Sequence, residues 1–186
     1  PRVLQLGYAY QASNQYRAVI QQYLEDVTAE LGESSSLAVL DGDDVVYVVR
    51  SAARHRLMAI TLSVGTRLPA AYTSMGRVLL AQLPDNELKA YLDRVRLEPF
   101  TEFSITDKQA LRNEIDKVRE QGYAMVDQEL DQGLRSVAVP AFAGSGELLG
   151  ALNISTNAAR VDMDTLMNAY LPRLQDVAEK IRQAAR

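Results

Sequence analysis

The order of hydrophobic periodicities along the chain constrains the fold more than any other feature. Apolar residues recur at helical spacing over 14–31, and Gly32 follows where a left-handed helix end is expected. A second helical repeat occupies 162–186, with Pro172 as a predicted kink. The apolar residues predicted for its buried stripe are Leu166, Met167, Tyr170, Leu171, Leu174, Val177 and Ile181.

Between these helices lie two groups of predicted strands. SSSLAVL and DDVVYVVR form a predicted hairpin through 41–43, and a third strand is expected near 57–62. The second group is YAMVD, LRSVAVPAF and ELLGALNIST, and Pro140 predicts a sheet edge or a bulge. Terminal helices that enclose two groups of sequential strands predict an α+β fold with an antiparallel sheet, one face of which is left free.

Three further helices are predicted between the strand groups. Two are short, over 75–83 and from Pro84 to about Val95. Thr106 with Gln109 three residues later predicts a capping box for the third, which is expected to end at Gly122.

Composition limits the function classes. The 186 residues are 47% hydrophobic and 24% charged, with a net charge of −4, which is typical of a globular domain. Because there is no cysteine, disulfides, cysteine-bound zinc, iron–sulfur clusters and thiol nucleophiles are excluded. No membrane-span run or secretion signal is apparent, so we expect a cytoplasmic protein. The chain begins with Pro1, so we expect it to be part of a longer protein.

Motifs for catalysis or metal binding are weak. His55 is the only imidazole and no serine lies in a G-x-S-x-G elbow, so we expect no enzyme activity. Asp127, Glu129 and Asp131 resemble a calcium loop, but a residue intervenes before Gly133, and a solvated turn is the favoured interpretation.

Arginines concentrate in one part of the sequence. Without interleaved aromatic residues they do not predict nucleic-acid binding, and they serve either solubility or, for one of them, carboxylate binding. These residues are Arg50, Arg54, Arg56, Arg67 and Arg77.

Small and polar residues alternate with large apolar ones in two strands. Ser136 alternates with Val137, and Asn153 and Ser155 alternate with Leu152 and Ile154. If the valine and isoleucine face is the core, the opposite face is small and polar. It is either a solvated sheet face or a ligand site roofed by the loop 68–75.

Several segments resemble the effector-binding domain of IclR-family bacterial transcription regulators. They are GTRLPAAYTSMGRVLLAQLP, GYAMVDQELDQGLRSVAVPAF and GELLGALNIS, which follow one another in the family's order over essentially the whole chain. GESSSLAVLDGDDVVYVVR and VGTRLPAAYTSMGRVLLA are most similar to the branch that regulates protocatechuate and β-ketoadipate catabolism.

The resemblance implies a GAF-like domain over 1–186, in which a curved antiparallel sheet is flanked by helices. It further implies binding of a small organic acid, no cofactor, and assembly into a homodimer or homotetramer. Contact with operator DNA would occur only through an N-terminal winged helix–turn–helix domain that is absent from this sequence. The positions that match the family's effector site are Leu57, Ile60, Leu68, Thr73, Ser74, Met75, Asp127, Glu129, Leu134, Ser136, Asn153 and Ser155.

A physical hypothesis follows for those positions. A ligand carboxylate would accept hydrogen bonds from Ser74, the Met75 N–H, and Ser136 or Ser155. Because Asp127 and Glu129 would repel a carboxylate, they are expected to order their loop or to accept from a ligand hydroxyl. The alternatives are an enzyme, or a stand-alone domain that docks a protein on its sheet face.

Overall fold

The computed structural model describes residues 11, 14–54 and 62–186, and it contains one six-stranded antiparallel sheet. The strand order is β3-β2-β1-β6-β5-β4, so the two strand groups meet where β1 pairs with β6. The strands are β1 (Ser34–Asp41), β2 (Asp44–Ser51), β3 (Arg67–Pro69), β4 (Ala124–Asp127), β5 (Leu134–Phe142) and β6 (Leu148–Asn157). The predicted α+β fold is confirmed.

Five helices of two or more turns flank the sheet in this part of the chain. They are α1 (Arg17–Leu31), α2 (Ser74–Ala81), α3 (Asp85–Arg94), α4 (Lys108–Gln121) and α5 (Leu171–Ala184). A 3-10 turn (Ala70–Tyr72) leads into α2, while a helical turn (Met163–Thr165) and a π-helical segment (Leu166–Tyr170) lead into α5. None of the described helices is both long and apolar enough to cross a membrane.

Helices cover both faces of the sheet. On one face α1 and α5 pack against large side chains such as Val137, Leu152 and Ile154. On the other, α2, α3 and α4 pack over small residues, among them Ala138 and Ala151. The face expected to be free is therefore covered over the described residues, and a ligand there would have to lie between the sheet and the helices.

Local signals place most helix ends correctly. Gly32 and Gly122 adopt positive φ and end α1 and α4, as predicted. The capping box at Thr106 is wrong, because α4 begins one residue later. Its N-cap is Asp107, whose carboxylate accepts a 2.7 Å hydrogen bond from the Ala110 N–H.

The prediction of a bulge at Pro140 is confirmed one residue further on, whereas Pro172 lies in the first turn of a helix and not at a kink within one. Pro140 lies in β5 beyond Ala138, the last residue that β4 pairs, so its missing N–H faces no partner strand. The bulge follows at Ala141 and Phe142. Pro172 occupies the first turn of α5, directly after the π-helical segment, which carries the irregularity.

Two sequence expectations need revision. Met167 is 38% exposed and does not join the buried stripe of the last helix. The third strand forms at Arg67–Pro69, where it pairs with β2, whereas residues 57–61 of the predicted strand lie outside the described part and Leu62 is in no strand.

Candidate functional site

A buried cavity, hereafter the polar cavity, lies between the small-residue face of the sheet and the segment that leads into α2. Its volume is about 20 Å³. In this conformation it has room for about one water molecule, so a larger ligand would have to push its walls apart. The cavity is lined by Tyr47, Leu68, Tyr72, Thr73, Ser74, Met75, Val126, Leu130, Leu134, Ser136, Asn153 and Ser155.

The floor of the polar cavity follows from strand register. Ser155 of β6 is paired with Ser136 of β5, and Ser136 is paired with Val126 of β4, so the three lie side by side on one face. Asn153 is two residues from Ser155 and shares its face. The alternation seen in the sequence therefore becomes a strip of small polar groups, each less than a tenth exposed.

The roof is the amino-terminal end of α2. The Thr73 hydroxyl caps the helix by accepting from the Gly76 N–H at 2.9 Å. Ser74 and Met75 are the first two helical residues, and their N–H groups have no acceptor in a preceding turn. A Cβ on Gly76 would overlap the Ala70 carbonyl oxygen, so only glycine allows this close return of the chain.

Hydroxyl and amide groups link floor and roof. The Ser136 hydroxyl donates to the Ser74 hydroxyl at 2.8 Å, and the Asn153 amide nitrogen donates to the Ser155 hydroxyl at 3.0 Å. The Asn153 carbonyl oxygen is buried and has no hydrogen-bond partner among the described residues. Because an unpaired buried acceptor is costly, the cavity is suited to a ligand or water that completes this network.

Two tyrosines close the sides. The Tyr72 hydroxyl donates to the Ile105 carbonyl oxygen at 3.1 Å and accepts from the Glu98 N–H at 2.7 Å, which ties the loop 98–105 to the roof. Burial raises the pKa of Tyr72 and raises that of Tyr47 to about 12, so both phenols are neutral near pH 7.

Glu129 does not line the polar cavity, contrary to its place among the predicted site residues. Its carboxylate accepts two 2.7 Å hydrogen bonds from Arg77 of α2, and both side chains are nearly inaccessible. Arg77 also donates to the Ala71 carbonyl oxygen at 3.0 Å. The pair clamps the loop after β4 to α2, a loop-ordering role that the sequence hypothesis allowed.

Asp127 is likewise occupied elsewhere. Arg135 binds its carboxylate at 2.8 and 3.2 Å and donates to the Val161 carbonyl oxygen at 2.7 Å. Within the described ranges, no three His, Cys, Asp or Glu side chains are grouped as metal ligands would be. Both predicted carboxylates are thus paired with arginines and lie outside the cavity lining.

Most of the other predicted site residues line the polar cavity. Eight lie around the polar cavity, namely Leu68, Thr73, Ser74, Met75, Leu134, Ser136, Asn153 and Ser155. Leu57 and Ile60 lie outside the described residues, as does His55. Four lining residues were missed: Tyr47, Tyr72, Val126 and Leu130. Register with Ser136 would have indicated Val126, whereas nothing local in the sequence indicates that Tyr47 reaches the same cavity.

A second depression, hereafter the apolar groove, is larger and more open. Its volume is about 450 Å³. It lies between α3, the β1–β2 turn and the carboxyl-terminal end of α2. Its apolar walls include Leu40, Leu79 and Leu148, but its polar side chains stay at the solvent-exposed rim. Since specific ligand sites need convergent buried polar groups, the polar cavity is the stronger candidate despite its size.

Comparison with known proteins places this architecture in a family. The family described as "Bacterial transcriptional regulator IclR C-terminal" matches residues 8–183. The chain belongs to this family. The predicted resemblance is thereby confirmed.

Individual members of the IclR family are similar to this chain in sequence and in structure. The Pca regulon regulatory protein of Pseudomonas putida is 47% identical over 174 residues, which are 94% of this chain and 60% of that protein. The inducer-binding domain of the PobR transcription factor from Acinetobacter, solved as a double mutant with 3-hydroxybenzoic acid, is 30% identical with a TM-score of 0.81, over 89% and 97% of the two chains. The Thermotoga maritima IclR structure is 27% identical with a TM-score of 0.83, over 97% and 73%. This IclR C-terminal domain spans about 60% of the length of the Pca regulator.

Proposed function

We propose that the polar cavity binds a small aromatic or aliphatic organic acid of the protocatechuate and β-ketoadipate class. The observation that carries this proposal is the convergence of five buried polar side chains on one enclosed space. They are Thr73, Ser74, Ser136, Asn153 and Ser155. The similarity to a Pca regulator and to a hydroxybenzoic acid complex supports the ligand class.

The chemistry of the lining fits such a ligand. A polar group at one end of the ligand would accept hydrogen bonds from the N–H groups of Ser74 and Met75, at the positive end of α2, and from the Ser136 hydroxyl. Tyr47, Met75 and Leu134 offer apolar and aromatic surface to a ring or an aliphatic chain. A ligand hydroxyl would satisfy the buried Asn153 carbonyl oxygen.

Ligand binding would act on transcription through a separate DNA-binding module elsewhere in the full-length cytoplasmic protein. Because the family consists of transcriptional regulators, the domain would sense its ligand and leave it chemically unchanged. Control of DNA binding requires that the ligand prefer one arrangement of a homodimer or homotetramer.

Thermal unfolding with protocatechuate, β-ketoadipate, 4-hydroxybenzoate and pyruvate tests the sensing function. A ligand at one hundred times its Kd stabilises the folded state by about 2.7 kcal/mol, which is a clear rise in Tm. We expect one acid of the protocatechuate and β-ketoadipate class to raise Tm in a saturable manner, with pyruvate much weaker.

The variant Ser136→Ala should remove most of that rise. Ser145→Ala is the matched control, because Ser145 is exposed in the β5–β6 turn, far from the cavity lining. Tm values that no acid shifts, or a shift that survives unchanged in Ser136→Ala, would contradict the proposal.

A further inference from the structure

One half-buried cation beside the polar cavity, Arg50, has no anionic partner among the described residues. Arg50 of β2 donates through its Nη1 to the Ser36 hydroxyl at 3.0 Å, while its Nε is buried without a hydrogen-bond partner. Every ion pair found among the described residues involves some other cation. The residues outside the description, 1–10, 12–13 and 55–61, contain no Asp or Glu.

Strand register directs Arg50 towards the cavity. Arg50 is paired with Ser36 of β1, and Ser36 is paired with Asn153 of β6. The three side chains therefore lie in one row on the same face of the sheet. The Arg50 guanidinium also lies over the ring of Tyr47, with its central carbon 5.7 Å from the ring centre. Tyr47 and Asn153 both line the polar cavity, so Arg50 adjoins its edge from two sides.

The charged groups around the polar cavity leave Arg50 without a carboxylate partner among the described residues. Among the residues that the structure describes, the lining contains no charged side chain. Glu129 forms an ion pair with Arg77, and Asp127 forms one with Arg135. Neither carboxylate is therefore paired with Arg50. Burial lowers the pKa of Arg50, which is the expected effect on a cation that lacks a compensating anion. The guanidinium is held in place by a hydroxyl and an aromatic face, and its buried Nε has no hydrogen-bond acceptor among the described residues.

Resting on the proposed function, we infer that Arg50 is the counter-ion of the ligand carboxylate and selects acids over their neutral analogues. An arginine fork can bind a carboxylate with two parallel hydrogen bonds, which neither a serine hydroxyl nor a backbone N–H provides. The ligand would then lie between Arg50 at the β2 side and Ser74 and Ser136 at the α2 side. Its carboxylate would face Arg50 and Tyr47, and its other polar groups would face the Asn153 carbonyl oxygen and the α2 end.

Calorimetric titration with a matched ligand pair tests this. Protocatechuate carries the carboxylate, and 3,4-dihydroxybenzamide replaces it by a neutral group of similar shape. We expect the wild-type chain to prefer the acid, and Arg50→Gln to weaken acid binding about tenfold to a hundredfold while amide binding changes little. Arg50→Lys keeps the charge without the fork, and it should fall between the two.

Two controls keep the outcome interpretable. Arg182→Gln makes the same chemical change at an exposed position of α5 and should leave both affinities unchanged. Arg50→Lys provides the measurement if Arg50→Gln does not fold by circular dichroism. An unchanged preference for the acid in a folded Arg50 variant would overturn this inference alone. Absence of acid binding to the wild-type chain, with β-ketoadipate and 4-hydroxybenzoate also tested, would overturn the proposed function with it.

Discussion

The two faces of the sheet are built from the same strands but differ in the size and polarity of their side chains. The face towards α1 and α5 is filled with branched apolar side chains that pack closely against one another. The face towards α2 is floored by alanine and serine, which brings the helix close and leaves buried polar groups around a cavity. Residue size at alternate positions of a strand thus distinguishes two faces: the stability face, towards α1 and α5, and the recognition face, towards α2.

The recognition face has polar support in addition to its apolar packing. That support comes from the Arg77–Glu129 pair and from the loop 98–105. Ser104 donates to the Glu129 carbonyl oxygen at 2.6 Å, and Thr101 donates to that of Gln128 at 2.6 Å. Polar contacts between distant segments therefore add, on this side, to the hydrophobic packing of α2, α3 and α4.

Removing one partner of the buried ion pair should give the largest loss of stability. In Glu129→Ala the Arg77 guanidinium stays buried without its anion, and we expect the free energy of unfolding to fall by about 3–5 kcal/mol in urea titrations. Glu179→Ala is the control, since it breaks an exposed pair with Arg182 and should cost at most about 1 kcal/mol. Similar losses in the two variants would mean that the clamp does not support the recognition face.

Truncation on the stability face should separate stability from binding. Leu174 of α5 is fully buried, and Leu174→Ala should lower the free energy of unfolding by about 2–5 kcal/mol through lost burial and a cavity. Ligand affinity, measured by titration at a temperature where the variant is folded, should stay within about twofold. A large loss of affinity would show that the two faces are not independent.

High pH should weaken both faces through tyrosines. Burial raises the pKa of Tyr47 on the recognition face to about 12, and burial followed by the charge of Glu33 raises that of Tyr170 on the other face to about 12. Because the folded pKa exceeds the ordinary value of 10.0, this stabilisation is present below pH 10 and is lost as the pH rises towards 12.

Urea titrations between pH 9 and pH 12 measure this loss. Tyr47→Phe and Tyr170→Phe should each make the decline in stability shallower than in the wild-type chain, because a phenylalanine cannot ionise. A decline of unchanged steepness in either variant would show that its phenol titrates normally in the folded state.

The smallest effect is expected for the hydroxyl pair that joins floor and roof. Ser136→Ala and Ser74→Ala should each cost about 1 kcal/mol of unfolding free energy. In the double variant the costs should be less than additive, because both single changes break the same 2.8 Å hydrogen bond. Strict additivity in a urea-based double-mutant cycle would indicate that the two hydroxyls do not interact.

The sequence determined the order of elements and the division of the sheet into two faces. Gly32, Gly122 and the turn at Gly42 act through local backbone conformation, so their effects can be read from neighbouring residues. Alternation along a strand fixes which residues share a face, and this indicated the placement of Ser136, Asn153 and Ser155 around the cavity. Resemblance to the family supplied the role of the loop before α2.

Only the tertiary structure decided which distant groups meet. Arg77 and Glu129 are 52 positions apart in the chain, and no local pattern distinguishes this buried pair from solvent-exposed charges. The pairing of β1 with β6 brings Arg50, Ser36 and Asn153 into one row although Asn153 is more than 100 residues away in the chain. Strand pairing and side-chain burial are properties of the whole packed chain, so the charge balance of the cavity emerges only from the fold.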